Sequence, residues 1–324
     1  MRAVSVAVAA ACVVSSLAPA ARAADAWPSK PIRVIVTQAS GSGPDLVCRY
    51  IMDRLGRALG VSIVVDDRPG GVNVIGTQAA ARAAPDGYTM LFATAAGLVT
   101  NPHTFKSLPY DPNRDFVPVG LIGKGPFVVL ANPKIPARSM AELIAAEKAN
   151  PGGLSAAVDG PRFFTGMLTA YINRQTGMQL RPIAYNNVAQ GLQDAVAGRT
   201  EVTIQPVAVV MPFLRRGDLR ALAVSGASRY PTLPDVPTLS ETVPGMNFIG
   251  WFALMAPTGT PAEAIQRTHA ELDRILKDQE VQKRLLEFGF TTDGAETPEA
   301  LAAFIRAEYA LWGKVVREIG VEPE

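Results

Sequence analysis

The sequence predicts an α/β protein built as a clamshell, two alternating halves joined by two crossing strands. Three observations carry this. Apolar strand runs and helical faces alternate from residue 32 to residue 97 and again from 139 to 224. Two extended apolar stretches, Phe116–Ala131 and Phe248–Pro257, are too long for ordinary strands and flank the second half. The chain has 324 residues, long for a single core.

The N-terminus reads as an export signal. Arg2 is a short basic region, Val4 to Pro19 an apolar run, and Ala21-Arg-Ala23 a small-x-small cleavage motif. A membrane anchor and a lipoprotein acylated at Cys12 are the alternatives. The alanine-rich run and the cleavage motif disfavour the anchor, and Cys12 lies inside the apolar run. Cleavage is expected near Ala23, giving an exported mature protein. Without Arg2 and Arg22 the 31 basic residues fall to 29, equal to the 29 acidic ones. No basic excess remains for nucleic acid. Cys48 is then the one remaining cysteine, so no intrachain disulfide forms. It is expected as a buried apolar side chain. No later run is long enough to span a bilayer.

In the first half, Ile32–Thr37 is a continuous apolar run, as in a parallel strand covered on both faces. Gln38 and the loop Ser40-Gly-Ser-Gly-Pro-Asp45 follow. A helix is expected from Leu46, its face marked by Leu46, Tyr50, Ile51, Leu55 and Leu59 and its end by Gly60. Ser62–Asp66 is a strand, Asp67–Gly71 a loop and Gly76–Ala84 a helix. Tyr88–Ala93 is the third strand, leading into a second small polar loop, Thr94-Ala-Ala-Gly97. Asn101-Pro-His103 reads as a turn.

Phe116–Ala131, punctuated by Pro118, Gly120, Gly123, Gly125 and Pro126, reads as a strand that leaves one sheet for another. Ser139 caps a helix to Ala149, and Leu154–Val158 is a strand. A helix Thr165–Thr176, a strand Leu180–Tyr185 and a helix Ala189–Ala197 continue the pattern. Glu201–Gln205, Met211–Arg216 and Leu219–Val224 complete the half, and Phe248–Pro257 is the return crossing. Thr260-Pro261 and Thr297-Pro298 read as N-cap and N1 pairs of C-terminal helices. The apolar stripe from Leu301 to Ile319 is expected to pack against the first domain. The domains so defined are 24–124 with 248–324, and 125–247. Their solute site should lie between them at strand ends, with the crossings as hinge.

Catalytic motifs are missing. The two histidines, His103 and His269, have no metal-ligand spacing, and His269 is expected on a helix surface. The sequence holds no nucleophile elbow, no P-loop and no complete dinucleotide fingerprint. No metal or cofactor is expected. The strand-end loops carry the positive signal. Ser40, Gly41, Ser42 and Gly43 offer hydroxyls and unhindered N–H groups at a helix start, where an anion is favoured. Asp45 would brace the loop. Thr94, Ala95 and Ala96 form a second donor set. Across the cleft, Asp159-Gly-Pro-Arg162-Phe163-Phe164-Thr165 places a guanidinium beside two rings, suited to a carboxylate and a flat apolar group. Core packing of the Phe pair stays open. Tyr185, Asn186, Asn187 and Gln205 could add neutral hydrogen bonds.

At these residues the chain resembles the periplasmic solute receptors of tripartite tricarboxylate transporters, also called Bug receptors. The likeness spans the mature chain. It rests on Trp27-Pro-Ser-Lys-Pro-Ile-Arg-Val-Ile-Val36, Arg68-Pro-Gly70, Ala83-Ala-Pro-Asp-Gly-Tyr-Thr89 and Asn101-Pro102. Leu108-Pro-Tyr-Asp-Pro112, Asp115-Phe116, Leu219-Arg-Ala-Leu-Ala-Val224 and Leu233-Pro-Asp-Val-Pro-Thr238 continue it, with Trp251-Phe252 and Ala256-Pro257. The resemblance implies a type II periplasmic-binding-protein (Venus flytrap) fold without enzymatic activity, acting as a monomer. It implies capture of a small carboxylate for membrane permease subunits, gripped by the loops at Ser40–Asp45 and Thr94–Ala96. The chain departs from the family where Pro-Gly-Gly-Ser-Thr-Asp becomes Ser40-Gly-Ser-Gly-Pro-Asp45. It also departs where a Gly-Asn-Gly-Thr-Ser-Thr-His-like loop becomes Gly160-Pro-Arg-Phe-Phe-Thr-Gly166. A common acid is Gln205, and a Lys-Gly is Asn186-Asn187. The Phe pair favours an aromatic mono- or dicarboxylate, and Arg162 a second anionic group. Aliphatic di- and tricarboxylates, a sensor module for a membrane signalling protein and a periplasmic enzyme are the alternatives.

Overall fold

The computed structural model describes residues 27–185 and 187–324. The export segment, with Arg2 and Cys12, and Asn186 lie outside the described residues. Parallel strands β1 (Ile32–Val36), β2 (Ile63–Asp67) and β3 (Thr89–Thr94) form one sheet. They alternate with helices α1 (Gly43–Leu59) and α2 (Val74–Ala81). Val34, Ile35 and Val36 are fully buried, as an all-apolar strand between two helical layers requires. A π-helical turn, Ala96–Thr100, and the short α3 (Asn101–Thr104) follow β3 directly.

β4 (Phe116–Ala131) is a single 16-residue strand, roughly 50 Å long at the rise of extended chain. It pairs with β9 (Ile249–Pro257) from Phe116 to Pro126. Beyond that point it pairs with β7 (Val202–Pro206) and β8 (Arg220–Val224) of the second sheet. β9 also pairs with β3. The full strand order is β2-β1-β3-β9-β4-β7, then β5 (Ser155–Val158) and β6 (Arg181–Ala184), with β8 on β4. The two crossings are therefore real, and they are the covalent link between the lobes. Where β4 changes partners, Ser225 ties it to the start of β9. Its Oγ accepts the Phe127 N–H at 2.9 Å and donates to the Phe248 carbonyl at 2.5 Å.

The second lobe adds α4 (Met140–Ala149), α5 (Phe164–Thr176), α6 (Val188–Ala197), α7 (Val207–Arg216) and the short α8 (Leu239–Thr242). The C-terminal helices are α9 (Ala262–Leu276), α10 (Gln279–Glu287) and α11 (Pro298–Ile319). No helix among the described residues is long and apolar enough to cross a membrane.

Several expectations are corrected. α1 begins at Gly43 rather than Leu46, because Ser42 is already the N-cap and Pro44 fits the first turn. Leu46, assigned to its apolar face, is 46% exposed. The second polar loop does not exist: β3 runs through Thr94 and helical backbone begins at once. Asn101-Pro-His103 is helix rather than turn, since proline is tolerated in a first turn. Thr260 is not the cap of α9. Pro261 holds that place, and the Thr260 hydroxyl donates to the Pro257 carbonyl. His269 is half-buried, its Nδ1 bonded to the Val119 carbonyl at 2.8 Å. α11 packs on both lobes, against α3, β4 and α5. Ser139, Thr297 and Gly60 cap where expected, and Cys48 is buried.

Candidate functional site

A cavity of about 350 Å³ lies between the lobes at the C-terminal ends of β1, β3 and β7, the usual place for a ligand in open α/β sheets. Gly125, Pro126 and Gly250 of the paired crossings form its floor. Gly125 has no room for a side chain, because a Cβ there would sit 2.5 Å from the Gly289 carbonyl. The backbone of Phe288-Gly-Phe290 therefore comes close to the crossing strand, and both rings border the cavity.

The walls are mainly aromatic and aliphatic. Phe127 and Phe164 stack with ring centres 4.1 Å apart and planes at 18°. Phe252 packs between Phe92 and Phe290, at 4.9 and 4.4 Å. Pro44, Pro206 and Val209 complete the apolar surface. On the first-lobe side stands one short polar strip. Gln38 Nε2 donates to Asn73 Oδ1 at 3.1 Å, and Asn73 Nδ2 donates to Thr94 Oγ1 at 3.2 Å. Asn73 reaches this place from a left-handed backbone, φ +70°, a conformation asparagine tolerates better than most residues. None of the described residues that line the cavity is charged.

Of the residues expected from sequence, the fold brings Gln38, Gly43, Thr94, Ala95, Ala96 and Phe164 to the cavity wall. The rest of the first loop is turned onto itself. Gly41, at φ +79°, aims its N–H at Asp45 Oδ2, 2.7 Å away. The Ser42 N–H donates to the Ala39 carbonyl, and its Oγ accepts from the Asp45 N–H. Asp45 is buried and pairs with Arg49 at 2.6 Å, and Arg49 also holds Asp67. Ser40 is exposed. Asp45 thus sits as the resident anion of its own helix start.

The facing loop repeats the device. Asp159 accepts from the Thr165 hydroxyl at 2.6 Å and from the Thr165 and Gly166 N–H groups. Burial pushes its carboxyl up against the pull of these bonds. Arg162 is ion-paired with Glu324, and Glu324 is itself pinned by backbone bonds to Thr104 and Lys106. Phe163 is 41% exposed, outside the cavity wall. The Tyr185 hydroxyl donates to Asp194 at 2.8 Å, and Gln205 is buried with its Nε2 on the Thr203 hydroxyl. Asn187 caps α6.

Sequence reasoning missed Asn73, Phe127, Trp251, Phe252, Phe288 and Phe290 as wall residues. Two signals were available: Phe-Gly-Phe between helical runs, and the bulky rings of crossings that were read only as hinge.

Two lobes on a shared pair of crossing strands, with a cavity between them at strand ends, define a two-domain periplasmic-binding fold. The family of "Tripartite tricarboxylate transporter family receptor" proteins matches residues 47–321. The protein BugT of Bordetella pertussis is 34% identical over 301 residues, 92% of each chain. Rpa4515 of R. palustris, solved with adipate, superposes with a TM-score of 0.82 at 31% identity, over 92% of this chain and 100% of that one. MatC of Rhodopseudomonas palustris, solved with bound malate, gives 0.77 at 27% identity, over 90% and 100%. The chain belongs to the tripartite tricarboxylate transporter receptor family, and is a periplasmic solute-binding receptor of that family rather than an enzyme.

Proposed function

We propose that this receptor captures an aromatic monocarboxylate and delivers it to the membrane permease subunits of a tripartite transporter. The observation that carries the reading is the cavity wall: Phe127, Phe164, Phe252, Phe288 and Phe290 surround a slot whose polar side chains, among the described residues, are Gln38, Asn73, Thr94 and the Trp251 indole. A flat ring gains by burial and by offset stacking on such a wall, about 0.5–1.5 kcal/mol per aromatic pair beyond its area. The carboxylate end meets the amide strip. The lobes are 24–124 with 248–324, and 125–247, hinged at β4 and β9, in a monomer exported by cleavage near Ala23.

Relatives solved with adipate and malate favour an aliphatic dicarboxylate as the second reading. It would leave its second carboxylate facing phenyl rings, with Arg162 held by Glu324. A thermal-shift panel of benzoate, adipate and malate on the mature protein tests the choice. Saturation at a hundred times Kd stabilises by about 2.7 kcal/mol. The expected result is a clear shift with benzoate and little with the dicarboxylates. A larger shift with adipate or malate overturns the aromatic preference, and no shift with any of the three overturns the carboxylate reading.

A further inference from the structure

A second cavity, of about 450 Å³, lies beyond the contact between α7 and the end of α10. Ala208 and Gly289 line both cavities, so they form the partition between them. The partition is tight: a Cβ on Gly289, which sits at φ +85°, would stand 2.7 Å from the Ala208 Cβ. The second cavity is also shared between the lobes. Residues of α7, with Tyr230 and Thr232, form one side, and residues of α10 form the other.

Its chemistry differs from that of the first. Val207, Met211 and Leu286 give it an aliphatic floor, where the first cavity is walled by phenyl rings. The flexible, unbranched Met211 side chain can follow the shape of an occupant. The rim carries charge, where the described wall of the first cavity carries none. Arg215 reaches it from α7 and Lys283 from α10. The neighbouring arginines are already paired: Arg216 with Asp218, Arg229 with Glu241, and Arg284 with Glu287. Glu287, the one acid in the described lining, is thus neutralised by Arg284. Among the described residues neither Arg215 nor Lys283 has an acidic partner. Two unpaired cations from opposite lobes, above an aliphatic floor, complement an anion with an apolar tail. The guanidinium fork suits a carboxylate in particular.

We propose that this second cavity binds a medium-chain alkyl carboxylate, its chain lying on Val207, Met211 and Leu286 and its head group shared between Arg215 and Lys283. The site is separate from the first cavity and does not rest on the aromatic reading of it. Tail and head group both count, so affinity rises with chain length. The head group stays at an exposed rim, so affinity falls as salt rises.

Equilibrium dialysis of labelled octanoate against the whole mature protein, with and without saturating benzoate, tests the site. One octanoate should bind per chain with benzoate present, and its Kd should rise several-fold from low to physiological salt. Butanoate should bind at least about tenfold more weakly. Arg215→Gln combined with Lys283→Gln removes both charges at exposed positions. It should raise the octanoate Kd about tenfold or more and leave the urea midpoint in place. Octanoate that benzoate displaces, with a Kd unchanged in the double variant, occupies the first cavity and overturns the proposal. Octanoate that resists benzoate but ignores the double variant overturns the head-group assignment. No octanoate binding overturns the second site and leaves the aromatic reading standing. If benzoate binds nowhere, the aromatic reading fails alone, and octanoate binding to wild type against the double variant still decides the second site.

Discussion

Asp45 accepts the Gly41 N–H on Oδ2 at 2.7 Å and faces Arg49 with Oδ1 at 2.6 Å. Its removal takes away the charged acceptor of the Gly41 N–H and unpairs one side of Arg49. Asp45→Ala should therefore destabilise the fold by about 1–3 kcal/mol, read as a lower urea midpoint at unchanged slope. Asp45→Asn, which keeps an acceptor of the same shape, should lose less. Equal losses would mean that the charge, rather than the accepted N–H, holds the loop. Residue identity alone gave Asp45 a bracing role. It did not reveal that bracing uses the N–H of Gly41, because the direction of an N–H is set by φ, here +79°.

At the scale of elements, α11 is the common buttress of the two lobes. Trp312 on it packs 5.0 Å from Phe164 of α5 and 5.5 Å from Phe248 at the mouth of β9. Gln175 of α5 also donates to Glu318 at 2.7 Å. The residue that follows from this arrangement is Arg162. It sits before α5 and is held by Glu324, which is fastened to the other lobe. Arg162→Ala should leave benzoate affinity within about threefold of wild type and cost at most about 1 kcal/mol of stability, as for other partly exposed ion pairs. A loss of a hundredfold or more in calorimetric Kd would return Arg162 to the ligand. The apolar stripe of α11 was legible from its period. Which lobe it covers was not, since periodicity fixes a face and says nothing of the partner.

Across the whole molecule, the hinge strands and α11 meet at Glu308. The Trp251 indole N–H of β9 donates to its Oε2 at 3.4 Å. Burial pushes this carboxyl from an ordinary 4.5 up to about 7, with Trp251, Trp312 and Lys124 of β4 pulling the other way. A raised folded-state value means that the folded protein binds the proton more tightly. The contribution is complete below 4.5 and is lost as pH rises through about 7, up to roughly 3 kcal/mol between the limits. Glu241, held down at about 2 by Arg229, changes stability only on the acid side of 4.5 and leaves this window alone. Urea unfolding at about pH 5 and about pH 8 checks the sign. Wild type should weaken more than Glu308→Gln toward pH 8. Parallel pH profiles for the two proteins would rule out Glu308 as the titrating group.

The sequence by itself determined the architecture. Alternating strand and helix periods, and two extended runs of 16 and 10 residues, left few ways to arrange the chain. The longer run is shared between the two sheets, where its backbone groups find partners, and the shorter returns the chain into the first sheet beside it. Its motifs placed the chain in its family, and its small loops marked the first-lobe wall at Gln38, Gly43 and Thr94. Only the tertiary structure decided what that wall can hold. Whether Gly41 and Ser42 offer their N–H groups to a ligand depends on where Asp45 and Ala39 stand. Whether Arg162 reaches the cavity depends on Glu324, 162 positions away along the chain. Phe127, Phe252 and Phe290 become one wall only when the crossings and the segment after α10 pack together. Local periodicity follows from neighbours in sequence and is written there. Hydrogen-bond competition and charge pairing are settled among groups distant in sequence, and those contacts exist only once the chain has folded.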